Sequence, residues 1–111
     1  MKIPEQSVLL RVFIGEQDKY HGKPLYEQIV ARARELDLAG ATVLRGELGF
    51  GANSRIHSTK LLALSADLPM VVEIVDAEDR INDLIPFLDE VIGEGLVTME
   101  KVKVIKYRHS S

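Results

Sequence analysis

The spacing of apolar residues changes several times along the chain, and each change predicts an element. Val8, Leu10, Val12 and Ile14 alternate with Leu9, Arg11 and Phe13. That period of two predicts a strand, apolar on its second face as well except at Arg11. Residues 15–23 are a polar loop. Pro24 suits the first turn of a helix. Leu25, Ile29, Ala33 and Leu36 then recur at helical spacing on one face. This helix is expected to fade near Leu38, with Gly40 as a left-handed stop. Residues 41–50 read as a second strand, and residues 51–59 as a small-residue and polar stretch. Residues 61–64 and 70–75 are both strand-like. Pro69 lies between them and lacks an N–H for a ladder, so a break or bulge is expected there.

In the last third, Asp76 is expected to cap a second helix, with Asp79 three residues on as a weak capping box. Ile81, Leu84, Ile85, Leu88, Val91 and Ile92 supply its apolar stripe. Pro86 falls inside that stripe and removes a helical hydrogen bond, so the helix should kink or split. Gly93-Glu94-Gly95 reads as a turn, and residues 96–98 and 102–107 as the last strand material. The order is β-α-β-β-α-β. It predicts an α+β, ferredoxin-like sandwich: a four-stranded antiparallel sheet with two helices on one face. Helices cover one face of such a sheet, yet the strands are apolar on both. A homo-oligomer that buries the second face is therefore expected; the alternative is a partly covered face with ordinary exposed Val and Ile.

Composition narrows the functional classes. The chain has 111 residues, which is one domain's worth, so a single domain over residues 1–111 is expected. It has no Cys, which excludes thiolate metal sites, disulfides and a Cys nucleophile. The formal net charge of −3 argues against a nucleic-acid binder. No apolar run approaches the roughly 20 residues of a membrane span. The first six residues hold no apolar signal-peptide region, so a cytoplasmic protein is expected.

Candidate chemistry concentrates in residues 40–60. Glycines at 46, 49 and 51 allow close backbone approach, and successive N–H groups in such turns can cradle an anion. Asn53, Ser54, Arg55, His57, Ser58, Thr59 and Lys60 follow, and no Asp or Glu occurs between Glu47 and Asp67. A donor-rich, acid-free loop suits phosphate; a Gly-rich hairpin with a solvated tip is the competing reading. Gly46 and Gly51 have the spacing of a P-loop, but Ala52-Asn53 stands where its Lys-Ser/Thr is required. Nor does Gly46-x-x-Gly49-x-Gly51 have the dinucleotide-binding spacing. Asp18 and His21 share a loop without a third metal ligand. Ser and His occur together without an orienting acid. Neither a metal site nor an enzyme is expected.

Several blocks resemble one family. These are Gly15-Glu16-x-Asp18-x-x-x-Gly22-Lys23-Pro24-Leu25-Tyr26-Glu27, Gly40-Ala41-Thr42-Val43-Leu44-Arg45-Gly46-x-x-Gly49-Phe50-Gly51, and Asp67-Leu68-Pro69-x-Val71-Val72-Glu73-Ile74-Val75-Asp76. With Gly95-Leu96-Val97-Thr98 and Val102-Lys103-Val104-Ile105, they resemble the domain of unknown function 190 over residues 8–107. That family is grouped with the PII signalling proteins, trimers of ferredoxin-like subunits that bind adenine nucleotides between subunits. The resemblance implies a PII-like homotrimer that needs no cofactor and takes a small adenine nucleotide as ligand. It places Thr42 and Phe50 at the base of a cleft, backbone donors at Gly49, Gly51 and Gly95, and charge and hydrogen bonds at Arg55, His57 and Lys60. Leu96 stands where PII proteins have Lys, their C-terminal arginines have no clear match, and residues 51–59 are short and lack Tyr. An AMP-like ligand fits this reduced charge better than a triphosphate. Relatives of the family are often encoded beside a small fluoride channel, which implies a membrane transporter or channel as partner. The alternative reading is a ligand-free interaction module acting on such a partner, with residues 51–60 as the contact.

Overall fold

The structure is a computed structural model that describes residues 2–50, 56–58 and 67–109. The chain runs β1 (Gln6–Gly15), β2 (Lys19–Tyr20), β3 (Lys23–Pro24), α1 (Leu25–Glu35), β4 (Thr42–Arg45), β5 (Leu48–Phe50) and β6 (Ile56–Ser58). It continues with β7 (Pro69–Asp76), α2 (Glu78–Asn82), α3 (Ile85–Val91) and β8 (Leu96–Lys103). Four strands form one antiparallel sheet in the order β4-β7-β1-β8. Two two-stranded ribbons, β2–β3 and β5–β6, extend from it. The ferredoxin-like sandwich expected from the pattern is present.

Alternation along the two central strands builds the core. Val8, Leu10, Val12 and Ile14 of β1 and Met70, Val72 and Ile74 of β7 are buried against the helices. Leu25, Ile29 and Ala33 of α1 meet them, as do Ile81, Leu84, Leu88 and Val91 from the second helical region. Fully burying one such aliphatic side chain stabilises the fold by roughly 1.5–3 kcal/mol.

The structure corrects several details of the sequence reading, among them the polar loop of residues 15–23, part of which forms the β2–β3 ribbon. Gly40 is not the stop of α1; Asp37 takes the left-handed conformation, with φ 58°. Leu38 N donates to Ala33 O at 3.1 Å and Asp37 N to Arg34 O at 3.0 Å, the pairing of a Schellman motif. Burial of Leu38 after the turn completes it and places the stop three residues earlier. Asp76 is not a helix cap, because the N-cap is Ala77 and makes no side-chain capping bond. Asp76 continues the inward alternation of β7 and is fully buried. Its Oδ1 accepts from Ala77 N (2.7 Å), and its Oδ2 accepts from Ala39 N (2.9 Å) and Arg80 Nε (3.2 Å). Arg80 also donates to Asp37 O. The carboxylate thus ties the end of β7 to the start of α2 and to the turn before β4. Finally, residues 41–50 are two strands, not one, because the chain turns at Gly46–Glu47 from the main sheet into the β5–β6 ribbon.

Pro86 and Pro69 act as their chemistry requires. Pro86 splits the second helix, and Asp83 N and Leu84 N bond three residues back across the break (3.1 and 2.9 Å). The proline then occupies the first turn of α3, where its missing N–H costs nothing. Pro69 opens β7 opposite Gly15. Its carbonyl accepts from Gly46 N at 2.7 Å, which starts the turn out of β4. The strand expected at residues 61–64 lies outside the described residues. The last strand ends at Lys103 rather than running to residue 107.

Asp76→Ala removes the acceptor of Ala39 N and Ala77 N and one of the two partners of Arg80. It is expected to lower stability by about 2–3 kcal/mol, measured by urea unfolding at fixed protein concentration.

Candidate functional site

Strand register arranges the helix-free face of the sheet in rows. Leu44, Val71, Phe13 and Leu96 form an apolar row from edge to edge. Thr42, Glu73, Arg11 and Thr98 form the next, and Val75, Leu9 and Glu100 lie beyond it. Phe13, Leu44 and Leu96 are 36%, 49% and 57% exposed, so this face carries the uncovered apolar side chains expected from the two-sided strand pattern. Arg11 interrupts it. Its Nε donates to Glu73 Oε2 (2.9 Å) and its Nη1 to Glu100 Oε1 (2.6 Å). The Glu73 hydrogen bond raises the Arg11 pKa above its ordinary value, and the charges of Glu100 and Glu73 add to this against opposing desolvation. One cation held between two anions satisfies both carboxylates and leaves the middle of the face with a net negative charge.

A cleft of about 480 Å³ opens at one end of this face. Leu9, Glu73 and Val75 of the central strands line it, with residues 39–42 on one side and Val104, Lys106 and Tyr107 on the other. Gly40 contributes no side chain, and the space where a Cβ would stand is open. The Tyr107 hydroxyl donates to Ala39 O at 2.8 Å across the cleft's edge. Ala39 is itself held by the buried Asp76. The volume falls in the range of about 300–1,000 Å³ typical of small-molecule sites. The lining supplies apolar surface, two hydroxyls (Thr42, and Tyr107 bonded to Ala39 O), the Glu73 carboxylate paired with Arg11, and the Lys106 ammonium. Such a surface accepts a flat apolar ring with a polar rim.

The residues singled out from the sequence do not all converge here. Thr42 lines the cleft. Gly49 and Phe50 lie on β5, where Gly49 pairs with His57 of β6 and Phe50 is 72% exposed. Gly51, Arg55 and Lys60 lie outside the described residues. Gly95 immediately precedes β8, and β8 and β4 are the two outer strands of the sheet. Three strand spacings, about 14 Å, therefore separate the Thr42 edge from the Gly95 edge. Within one chain Thr42 and Gly95 do not face a common small ligand. Gly95 also has a packing reason to be glycine: a Cβ there would stand 2.7 Å from Phe13 O. Reasoning from sequence missed Leu9, Glu73, Val75 and Tyr107 as cleft residues. In the sequence they are ordinary strand positions, and only register and the fold of the segment after β8 bring them together. Among the described residues no group of three or more His, Cys, Asp or Glu could hold a metal ion, and no helix is long and apolar enough to cross a membrane.

The fold is the PII-like variant of the ferredoxin-like sandwich. Two solved structures of CPII, a nitrogen regulatory PII-like protein from Thiomonas intermedia K12, superpose with TM-scores of 0.66 and 0.64 at 15% sequence identity. Each comparison covers 91% of this chain and 90% of the other. One of those structures is bound to ADP, AMP and bicarbonate, the other to ADP and bicarbonate. Residues 7–104 match the DUF190 family, described as "Uncharacterized ACR", and the chain belongs to that family. A UPF0166 protein of Aquifex aeolicus is 44% identical over 99 residues, covering 87% of this chain and 91% of the relative. A UPF0166 protein of Methanocaldococcus jannaschii is 33% identical over 102 residues, covering 91% and 94%.

The two glycines of the 93–95 turn are expected to respond differently to substitution. Gly95→Ala drives a methyl into the Phe13 carbonyl and should lower stability by about 1–3 kcal/mol. Gly93→Ala meets nothing within 4 Å and should leave thermal unfolding close to that of the parent.

Proposed function

We propose that this protein is a PII-like regulatory protein that binds a small adenine nucleotide in clefts shared between the subunits of a homotrimer. The observation that carries the reading is the PII-like fold, with an uncovered apolar sheet face whose Pro69 end carries Gly46 and Gly49 on one edge and Gly95 on the other. The separation of Thr42 from Gly95 supports a shared site, since a second copy can present its own Gly95 edge to the first copy's Thr42 edge. The uncovered row of Phe13, Leu44 and Leu96 supports assembly through this face. CPII, bound to ADP and AMP, supports an adenine ligand. Arg11 between two glutamates leaves little positive charge on the face, which favours AMP over ATP. In this reading Gly49, Gly51, Arg55, His57 and Lys60 meet the phosphate, and the protein reports occupancy without turnover.

The exposed side chains of Leu48 and Phe50 (67% and 72%) favour a second reading, in which the β5–β6 ribbon docks on a membrane transporter or channel. Capture of such a partner in nucleotide-free conditions, abolished by Phe50→Ser, would support it.

Thermal unfolding against AMP, ADP and ATP tests the first reading. A nucleotide at 100 times its Kd is expected to add roughly 2.7 kcal/mol per site and raise the melting temperature. Arg55→Ala is expected to weaken binding about tenfold, near 1.4 kcal/mol, with the trimer intact by sedimentation. Equal affinity in the pure variant would remove Arg55 from the site.

A further inference from the structure

We propose that Arg45, held in place by Glu16, is a phosphate-contacting residue of the nucleotide site, reaching inward from the Gly46 edge of the sheet. The inference rests on the reading that an adenine nucleotide binds at the Pro69 end of the sheet, and it names the side chain that meets the phosphate there.

Three stretches far apart in the chain meet at that end. Glu16 N donates to Leu68 O (2.8 Å), Gln17 N to Asp67 Oδ1 (2.8 Å), Gly15 N to Asp18 Oδ2 (2.9 Å) and Gly46 N to Pro69 O (2.7 Å). The backbone that carries Glu16 is therefore fixed, and the nearby Asp18 and Asp67 carboxylates are engaged by backbone N–H groups. Arg45 is the last residue of the edge strand β4 and pairs with Met70, which pairs in turn with Ile14 of β1. Gly95 reaches Ile14 from the far edge, where a Cβ on it would stand 3.1 Å from Ile14 Cγ2. Arg45 and Gly95 thus border one end of the sheet from its two sides. Arg45 also shares the phase of the buried Met70, so it stands on the helix side of the sheet and not in the open apolar row that assembly would cover. Its Nη2 donates to Glu16 Oε2 at 2.5 Å. Because Glu16 follows β1, two strands in from β4, this bond turns the guanidinium inward across the end of β7. The Arg45 side chain is 55% exposed and that of Glu16 21%. A guanidinium carries five N–H donors in a rigid fork, of which Glu16 engages one nitrogen, and such a fork matches the oxygens of a phosphate. A carboxylate behind the arginine orients it before the ligand arrives, which lowers the ordering cost of the contact. It also offsets one positive charge, in keeping with a monophosphate.

Arg45→Gln keeps a polar side chain and removes the charge. Titration calorimetry of the whole protein with AMP and with adenosine is expected to show AMP bound about tenfold to a hundredfold more weakly than by the wild type, and adenosine within about twofold. Arg45→Lys, which keeps the charge without the fork, is expected to fall between the two proteins. Glu16→Ala is expected to lower the preference for AMP over adenosine about threefold to tenfold, and Glu16→Gln, which keeps an acceptor for Nη2, to restore most of it. Unchanged AMP affinity in Arg45→Gln, or AMP and adenosine weakened alike, overturns the phosphate contact and leaves the nucleotide site standing. An unchanged preference in Glu16→Ala overturns the positioning role of Glu16. No melting shift of the wild type with AMP, ADP or ATP overturns the nucleotide reading and this inference with it.

Discussion

Strand β1 is paired on both sides, to β7 along Val8–Gly15 and to β8 along Gln6–Phe13, and this double register organises the molecule. Because side chains alternate with a period of two, a slip of one residue would send Val8, Leu10, Val12 and Ile14 to the open face and Arg11 into the core. Burying Arg11 without its two glutamates would cost far more than the pairing gains. The same register sets Arg11 between Glu73 and Glu100, lines up Phe13 with Leu44, Val71 and Leu96, and puts Leu9 beside Val75 in the cleft. Core, apolar face and cleft are three consequences of one alignment.

Asp76 shows how a core position can serve a surface site. It occupies the inward phase of β7, where the preceding residues of that phase are Met70, Val72 and Ile74. A carboxylate is tolerated there because three donors reach it. In return it fixes the turn between α1 and β4, which forms one side of the cleft and carries the carbonyl that Tyr107 meets. Arg80 completes the arrangement by reaching both Asp76 and the Asp37 carbonyl, which ties the Schellman turn to the start of α2.

The face without helices has the composition of a surface meant to be covered. Its edge-to-edge apolar row stands next to an ion-pair row, so association there buries hydrophobic area in one row while the charged row demands complementary placement. Such polar groups set register and partner number more than affinity. The proposed site completed by two copies follows the same logic, since the two outer strands of one sheet lie too far apart to close on a single small ligand.

Local chemistry already written in the residue order determined much of this. The two-residue period of β1 and β7, the helical stripe of Leu25, Ile29 and Ala33, and the break at Pro86 each depend on near neighbours and were legible from the pattern alone. The apolar second face was legible for the same reason; the turn at Gly46–Glu47 was not, because it depends on the distant Pro69 carbonyl that accepts from Gly46 N. What the pattern could not reveal depends on residues distant in the chain. Asp76 looked like a cap because its neighbours resemble a helix start, but the donors that bury it come from Ala39 and Arg80. Gly40 looked like a stop, but burial of Leu38 ended the helix at Asp37. The cleft at Thr42 needed Leu9, Glu73, Val75 and Tyr107 brought to it from three other segments. The family-like Gly40–Gly51 block points to Thr42, while its neighbours are set only by strand register and by the path of the chain after β8.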